Sequence, residues 1–367
     1  MKALALYPER KEVRIIQIPD ARLDGADSVL IRPIEVGICG TDRELVRFQY
    51  GKPPAGLEYL VMGHEMLGEV DEVGSAVEGF RKGDLVVPTV RRPCASPTCI
   101  PCATDQSDMC FTGDFTERGI RGESGYMTER IVERPPFLTR VPAELRSVAV
   151  LVEPLTLTEK ALLELEQIQA RLPWGCPEGG GYGCRTALVL GAGPIGFLAA
   201  LALSDLGFRT HLVSRNDPDD PKVRVLDKFG VAYSSSKQNT PSEVAAKIGN
   251  VDVIFEGAGS SELAFEYLPA LGINGIFLMT GVPGPGNRVT IDGDVMMRRI
   301  VLYNQVVLGV VNANAAAFRR AVERLGHFAK KYPDVLQSLI TARAPLERYG
   351  DYLLAKQRGE IKTVLTL

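Results

Sequence analysis

Histidine is scarce in this sequence. Its 367 residues include three, His64, His211 and His327, so thiolates and carboxylates must supply most of any metal site. No charge of one sign dominates. Forty-two basic against 45 acidic residues leave a formal net charge of −3, which argues against a nucleic-acid partner or an acidic membrane surface. No apolar run reaches the length of a membrane span, and the opening Met1-Lys2-Ala3-Leu4-Ala5-Leu6-Tyr7 turns polar too early for a signal peptide. A cytoplasmic protein without a membrane partner is the expectation. Internal repeats and low-complexity tracts are absent. The cysteines number seven; in a cytosolic chain they favour metal ligands or free thiols over disulfides.

The length suffices for two domains, each with its own core. The first third is rich in short β-type runs broken by Gly and Pro, among them Val13-Arg14-Ile15-Ile16, Ser28-Val29-Leu30-Ile31, Leu67-Gly68-Glu69-Val70 and Gly83-Asp84-Leu85-Val86-Val87-Pro88. Residues 148–169 carry a helical period interrupted by Pro154, and residues 172–184 read as a Gly- and Pro-rich linker. From Thr186 the pattern alternates strand and helix. Strands are expected at 186–190, 210–213, 251–255 and 275–279, and a helix over 194–206. Alternation of this kind implies an α/β domain with a doubly wound parallel sheet, a Rossmann fold.

The first junction of that region reads Gly191-Ala192-Gly193-Pro194-Ile195-Gly196. Gly191 permits a tight turn, Gly193 lets the backbone approach a pyrophosphate, and Gly196 lets the helix pack on the strand. Pro194 and Ile195 open the helix whose N-terminus faces the phosphates. An NAD site usually ends its second strand with Asp or Glu. This chain has Ser214-Arg215-Asn216, which suits the 2′-phosphate of NADP. Asp217 just beyond leaves NAD open as a second cofactor.

Three separated stretches offer metal ligands: Gly37-Ile38-Cys39-Gly40-Thr41-Asp42, Gly63-His64-Glu65 and Val152-Glu153-Pro154. Cys39, His64 and Glu153 can hold a catalytic zinc and leave one position open. Glu65 as a fourth ligand would make the site net negative and weaken its Lewis acidity, so a transient or indirect role is assigned to it. Cys94, Cys99, Cys102 and Cys110 form C-x4-C-x2-C-x7-C, the pattern of a closed structural zinc lobe. Two zinc ions per chain are expected.

Taken together, these residues resemble the zinc-containing medium-chain dehydrogenases, and within them the archaeal-type glucose dehydrogenases. The resemblance covers nearly the whole chain. It is carried by Cys39-Gly40-Thr41-Asp42-Arg43, Gly63-His64-Glu65, Val90-Arg91-Arg92, residues 112–120, Leu151-Val152-Glu153-Pro154, Thr280-Gly281-Val282-Pro283 and Gly309-Val310-Val311-Asn312. It implies a GroES-like β-rich catalytic domain over residues 1–185 and 311–367 around a Rossmann domain at 186–310. It also implies a sugar substrate whose hydroxyls are bound by Glu117 and Asn312. Thr41 would touch the substrate and relay its proton, and Glu153 would line the substrate site. Thr280, Val282 and Lys356 would meet the cofactor, and the chain would form a dimer or tetramer. The implied reaction is oxidation of an aldose, glucose or galactose, at C1 to the lactone. Two rivals stand beside it: the same chemistry on another polyol or secondary alcohol, and a non-catalytic nucleotide sensor that kept the fold.

Overall fold

The structure is a computed structural model that describes residues 1–177, 181–284, 286 and 288–367. The chain forms two compact units: Met1–Thr156 with Asn312–Leu367, and Leu157–Val311. Residues 157–185 group with the second unit, which departs from the boundary expected at 185. The reason lies in hydrogen bonds. Gln169 Nε2 donates to Asn274 O at 3.1 Å, and Arg171 Nη2 donates to Asn274 O and Asn304 O at 3.0 and 2.9 Å.

The first unit is built on a seven-stranded sheet. In spatial order its strands are Leu138–Val141, Leu85–Pro88, Glu65–Val73, Val29–Gly37, Lys362–Thr366 and Ile340–Pro345, with Ile131–Glu133 paired onto Val29–Gly37. Val29–Gly37 is central because it runs antiparallel to three partners. Pro33 cannot donate to the ladder, and the register shifts between Pro33 and Glu35. Beyond that shift Gly37 lies opposite Glu65 on one side and Val364 on the other. The chain leaving this strand, Ile38-Cys39, therefore runs between the start of one neighbour and the start of the other. Leu4, Ile31, Val36, Leu45 and Tyr126 belong to the buried apolar cluster of this unit.

The second unit holds the six-stranded parallel sheet. Its strands are β1 (Thr186–Leu190), β2 (Arg209–Ser214), β3 (Ala232–Ser235), β4 (Val251–Glu256), β5 (Leu271–Met279) and β6 (Val306–Gly309). Their spatial order is β3-β2-β1-β4-β5-β6, all parallel. β1 is buried at every position, as strands covered on both faces are. Helix Pro194–Asp205 follows it, with Phe197 through Leu203 buried.

Two expectations need correction. Pro154 does not interrupt the helical period: a continuous helix spans Val152–Gln169 and holds Pro154 in its first turn, where no intrahelical donor is needed. Cys176 and Cys184 are not free thiols but a disulfide, within the stretch read as a linker. Their Cα atoms lie 5.6 Å apart, inside the range a bridge requires, and composition alone could not show that proximity. Residues 178–180 of that stretch lie outside the described residues. Among the described residues no helix is long and apolar enough to cross a membrane.

Candidate active site

Strand register assembles the first cluster. Cys39 leaves the central strand and opens the short helix Gly40–Leu45. His64 and Glu65 stand at the start of the neighbouring strand, after a turn in which Gly63 takes a φ of +89°. A Cβ at Gly63 would lie 2.6 Å from Met127 Cγ, so glycine is required there twice over. The Cys39 thiol, a His64 nitrogen and a Glu65 carboxylate oxygen all lie within 4.8 Å of one another. Glu153 falls outside that trio, at the start of helix Val152–Gln169. It is close enough that its pKa is raised to about 7, first by burial and then by the charge of Glu65, against the opposing pull of His64 and Lys362.

Two groups that motif reading passed over complete the cluster. Asp42 is fully buried; one carboxylate oxygen accepts from Cys39 N at 2.9 Å and the other lies 3.5 Å from His64 Nδ1. Neither that oxygen nor Nδ1 has a hydrogen bond among the described residues. Two orphaned buried atoms facing each other suit an imidazole whose other nitrogen holds a metal, with Asp42 fixing its tautomer. Burial opposes charge on His64, but Asp42 and Cys39 outweigh it and hold its pKa well above the ordinary value. A bound metal would expel that proton. Lys362 is the second group. It is 1 % exposed, and its ammonium donates to Glu65 Oε1 and Oε2 at 2.7 and 2.5 Å and to Ile38 O at 3.2 Å. The pairing leaves Glu65 neutralised by a lysine, which answers the charge argument against Glu65 as a ligand. A signal for Lys362 existed in the sequence: it is the one charged residue in the strand run Lys362-Thr363-Val364-Leu365-Thr366. Thr41 is partly buried on the short helix.

The cysteine lobe closes on itself. The four sulfurs of Cys94, Cys99, Cys102 and Cys110 lie within 4.8 Å of one another and form no disulfide. Burial opposes ionisation of Cys110, yet the Thr112 hydroxyl and the Gly113 N–H outweigh it and draw its pKa down to about 6. Four thiols at this spacing, one of them poised as thiolate, fit a tetrahedral zinc.

Glu117 and Asn312 are far apart in the chain and adjacent in the fold. Asn312 Nδ2 donates to Glu117 Oε1 at 2.6 Å across a sequence separation of 195. Asn312 adopts a φ of +61°, a left-handed conformation that asparagine tolerates. Arg91, unassigned by motif, grips the same Glu117 oxygen through Nε and Nη2 at 3.1 and 3.0 Å, and its Nη1 donates to Asp108 O in the lobe at 2.9 Å. The Glu117 segment also touches the metal cluster's own turn: a Cβ at Gly119 would lie 2.3 Å from Gly63 O.

In the second unit the fingerprint forms an open cradle. Gly191 has a φ of +110°, a Cβ at Gly196 would meet Gly191 O at 2.0 Å, and a Cβ at Gly193 would meet nothing within 4 Å. Gly193 is the N-cap of helix Pro194–Asp205, so its free N–H groups and clear space fit a pyrophosphate. At the end of β2 the Ser214 hydroxyl contacts Asn216 Oδ1 at 3.1 Å and Tyr233 at 2.9 Å, and Asn216 Nδ2 donates to Asp220 at 2.7 Å. This loop is therefore preformed. Arg215 extends from it, exposed and without an ion-pair partner among the described residues, while Asp217 pairs with Lys237 at 3.4 Å. Thr280 donates its hydroxyl to Glu256 O at 2.7 Å, and Val282 is 68 % exposed. Lys356 is exposed near the C-terminus.

Comparison with known proteins gives the following. Residues 146–367 match the family profile "Glucose dehydrogenase C-terminus", and residues 25–143 match "Alcohol dehydrogenase GroES-like domain". A glucose 1-dehydrogenase of Methanocella arvoryzae is 41% identical over 354 residues, 96% of each chain. One from Metallosphaera sedula is 37% identical over 100% of this chain and 98% of its own. Among solved structures, Haloferax mediterranei glucose dehydrogenase in complex with NADP, Zn and gluconolactone superposes with a TM-score of 0.89 at 30% identity, covering 100% of this chain and 99% of that one.

Proposed function

The chain belongs to the glucose dehydrogenase family, and we propose that it oxidises an aldose, glucose or galactose, at C1 to the lactone with hydride transfer to NADP. Zinc and NADP are its cofactors. NAD is the weaker alternative, because β2 ends in Ser214-Arg215-Asn216 rather than in an acid.

Cys39, His64 and Glu153 would hold the catalytic zinc, and the four cysteines of the lobe the structural one. When bound, the catalytic ion supplies a Lewis acid that lowers the pKa of the C1 hydroxyl. Asp42 keeps the His64 ring in one orientation. Lys362 holds Glu65 by both carboxylate oxygens and balances its charge. Thr41 carries the hydroxyl proton outward. Glu117 and Asn312 accept and donate to the sugar's remaining hydroxyls, with Arg91 fixing the carboxylate. Gly191, Gly193, Pro194, Ile195 and Gly196 bind the pyrophosphate; Ser214, Arg215 and Asn216 bind the 2′-phosphate; Thr280 and Val282 lie toward the nicotinamide. Lys356 is the remaining candidate for a phosphate contact. Self-association is part of the reading: helix Gly293–Leu302 exposes Val295, Met297, Val301 and Leu302, and β6 is an edge strand of the sheet among the described residues.

The observation that carries the sugar assignment is the Glu117–Asn312 contact. A carboxylate and an amide held together beside the turn that presents His64 suit a polyhydroxylated substrate and reject an apolar alcohol. NADP reduction measured across aldoses and simple alcohols tests it. Aldoses should be turned over fastest, with lactone as product. Faster oxidation of simple alcohols would reject the sugar, and absence of turnover on every substrate would favour a nucleotide sensor.

A further inference from the structure

Glu256 closes β4 at the point where the sheet order reverses. From β1 the chain builds outward through β2 and β3, then crosses back to place β4 on the other side of β1. Dinucleotides bind in the crevice at such a switch point, outside the carboxyl ends of the strands. The adenine half belongs over β2, where Arg215 stands, and the pyrophosphate at Gly193. The nicotinamide half must then extend over the exits of β4 and β5.

A carboxylate is an unexpected residue there. Glu256 is 2 % exposed and follows the apolar run Val253-Ile254-Phe255. Its Oε1 accepts from Ala258 N and Gly259 N, both at 2.8 Å, and from Ser260 N at 3.5 Å. Its Oε2 accepts from Gly281 N at 3.1 Å. One side chain thus binds the backbone of two loops, residues 257–260 after β4 and 280–282 after β5. The loops are in close contact as well: a Cβ at Gly281 would lie 2.2 Å from Gly259 N, and one at Gly259 would lie 3.2 Å from Val282 O. The first loop also touches the fingerprint, since a Cβ at Gly191 would lie 2.9 Å from Ala258 N. Burying a carboxylate costs free energy that an apolar side chain at the end of β4 would avoid. Its return here is the fixed placement of two loop backbones at the cofactor crevice.

We propose that Glu256 is a positioning residue for the nicotinamide half of the cofactor, setting the relative position of the loops after β4 and β5. It neither touches the sugar nor transfers a proton. The inference rests on NADP as cofactor and is independent of which alcohol is oxidised.

The test compares the whole cofactor with its adenine half. Calorimetric titration of the full-length protein with NADP and with adenosine 2′,5′-bisphosphate gives two dissociation constants for wild type and for Glu256→Gln. The amide can still accept from the 258–260 loop but presents an NH2 to Gly281 N–H. The constant for NADP should rise about tenfold or more, the loss of one or two hydrogen bonds to a charged group, while that for the fragment stays within about twofold. Equal weakening of both ligands would assign Glu256 a general structural role and overturn the proposal, as would no weakening of either. If Glu256→Gln does not fold, Glu256→Asp makes the same comparison: its shorter chain cannot reach both loops, so the same selective loss of NADP supports the proposal and a parallel loss or no loss overturns it.

Discussion

The cysteine lobe and the Cys39–His64 cluster belong to the same unit and are built in opposite ways. The lobe takes all four of its candidate ligands from residues 94–110, with two short helical turns, Ile100–Ala103 and Ser107–Met109, between its second and fourth cysteines. The cluster takes Cys39, His64, Glu65 and Lys362 from the ends of three neighbouring strands of one sheet, and Glu153 from the first turn of a helix. On the proposed reading a metal would order the loop of the lobe, whereas in the cluster the sheet orders the side chains. Zinc bound at the lobe would then contribute its binding free energy to folding, whereas zinc bound at the cluster would be available for chemistry. The charges differ in the same sense. The lobe offers thiols alone, while the cluster surrounds its ligands with a buried acid, Asp42, and a buried base, Lys362.

The largest expected effect that sharpens this contrast is on turnover. His64→Ala or Cys39→Ser should lower kcat/KM for glucose by on the order of a thousandfold or more, since the ion that lowers the hydroxyl pKa is lost. Circular dichroism should be unchanged, because the sheet and not the ion holds the cluster; a lost β signature would blur the contrast. Next is Lys362→Met. Leaving the Glu65 carboxylate buried without its partner should cost about 3–5 kcal/mol of unfolding free energy, read by denaturant titration. Adding Glu65→Gln should restore much of it, and no recovery in the double variant would mean that Lys362 acts through some other contact.

A smaller effect is expected at the sugar pair. Glu117→Ala and Asn312→Ala should each reduce efficiency toward glucose by roughly one to two orders of magnitude, from about 1–3 kcal/mol per orphaned polar group. Activity toward a simple primary alcohol should barely change, so the informative number is the ratio of the two substrates. The smallest lies in the second unit. Arg215→Ala should raise KM for NADP by about tenfold, one charge-assisted contact, with little change for NAD. An equal rise for both would remove Arg215 from the 2′-phosphate.

What could be read from the sequence divides along the same line as the two sites. Where ligands or turns are close in the chain, the residue pattern is the structure: the four cysteines, the Gly191–Gly196 fingerprint and strand β1, read as 186–190, all appear where their spacing puts them. Glu117 and Asn312 were named through resemblance, and only folding could show that they touch. Lys362 and Asp42 were missed for a physical reason. Lys362 reaches Glu65 because Gly37 is flanked by Glu65 and Val364, a register fixed by three strands and a shift at Pro33. No local pattern encodes such a register. Asp42 was in plain view three residues after Cys39, but its partner His64 lies in the turn before another strand. The Cys176–Cys184 bridge escaped for the opposite reason, since a compartment argument outweighed a short spacing that permitted it.

The division of labour between the two thiolate sites is tested most directly by counting zinc in wild type, His64→Ala and Cys102→Ser by native mass spectrometry, with turnover and melting temperature measured on the same samples. The account predicts two ions per wild-type chain and one in each variant. Turnover should vanish only in His64→Ala, and the melting temperature should fall clearly only in Cys102→Ser. Full zinc content with normal turnover in His64→Ala, or a melting temperature unmoved by loss of the lobe's ion, would contradict it.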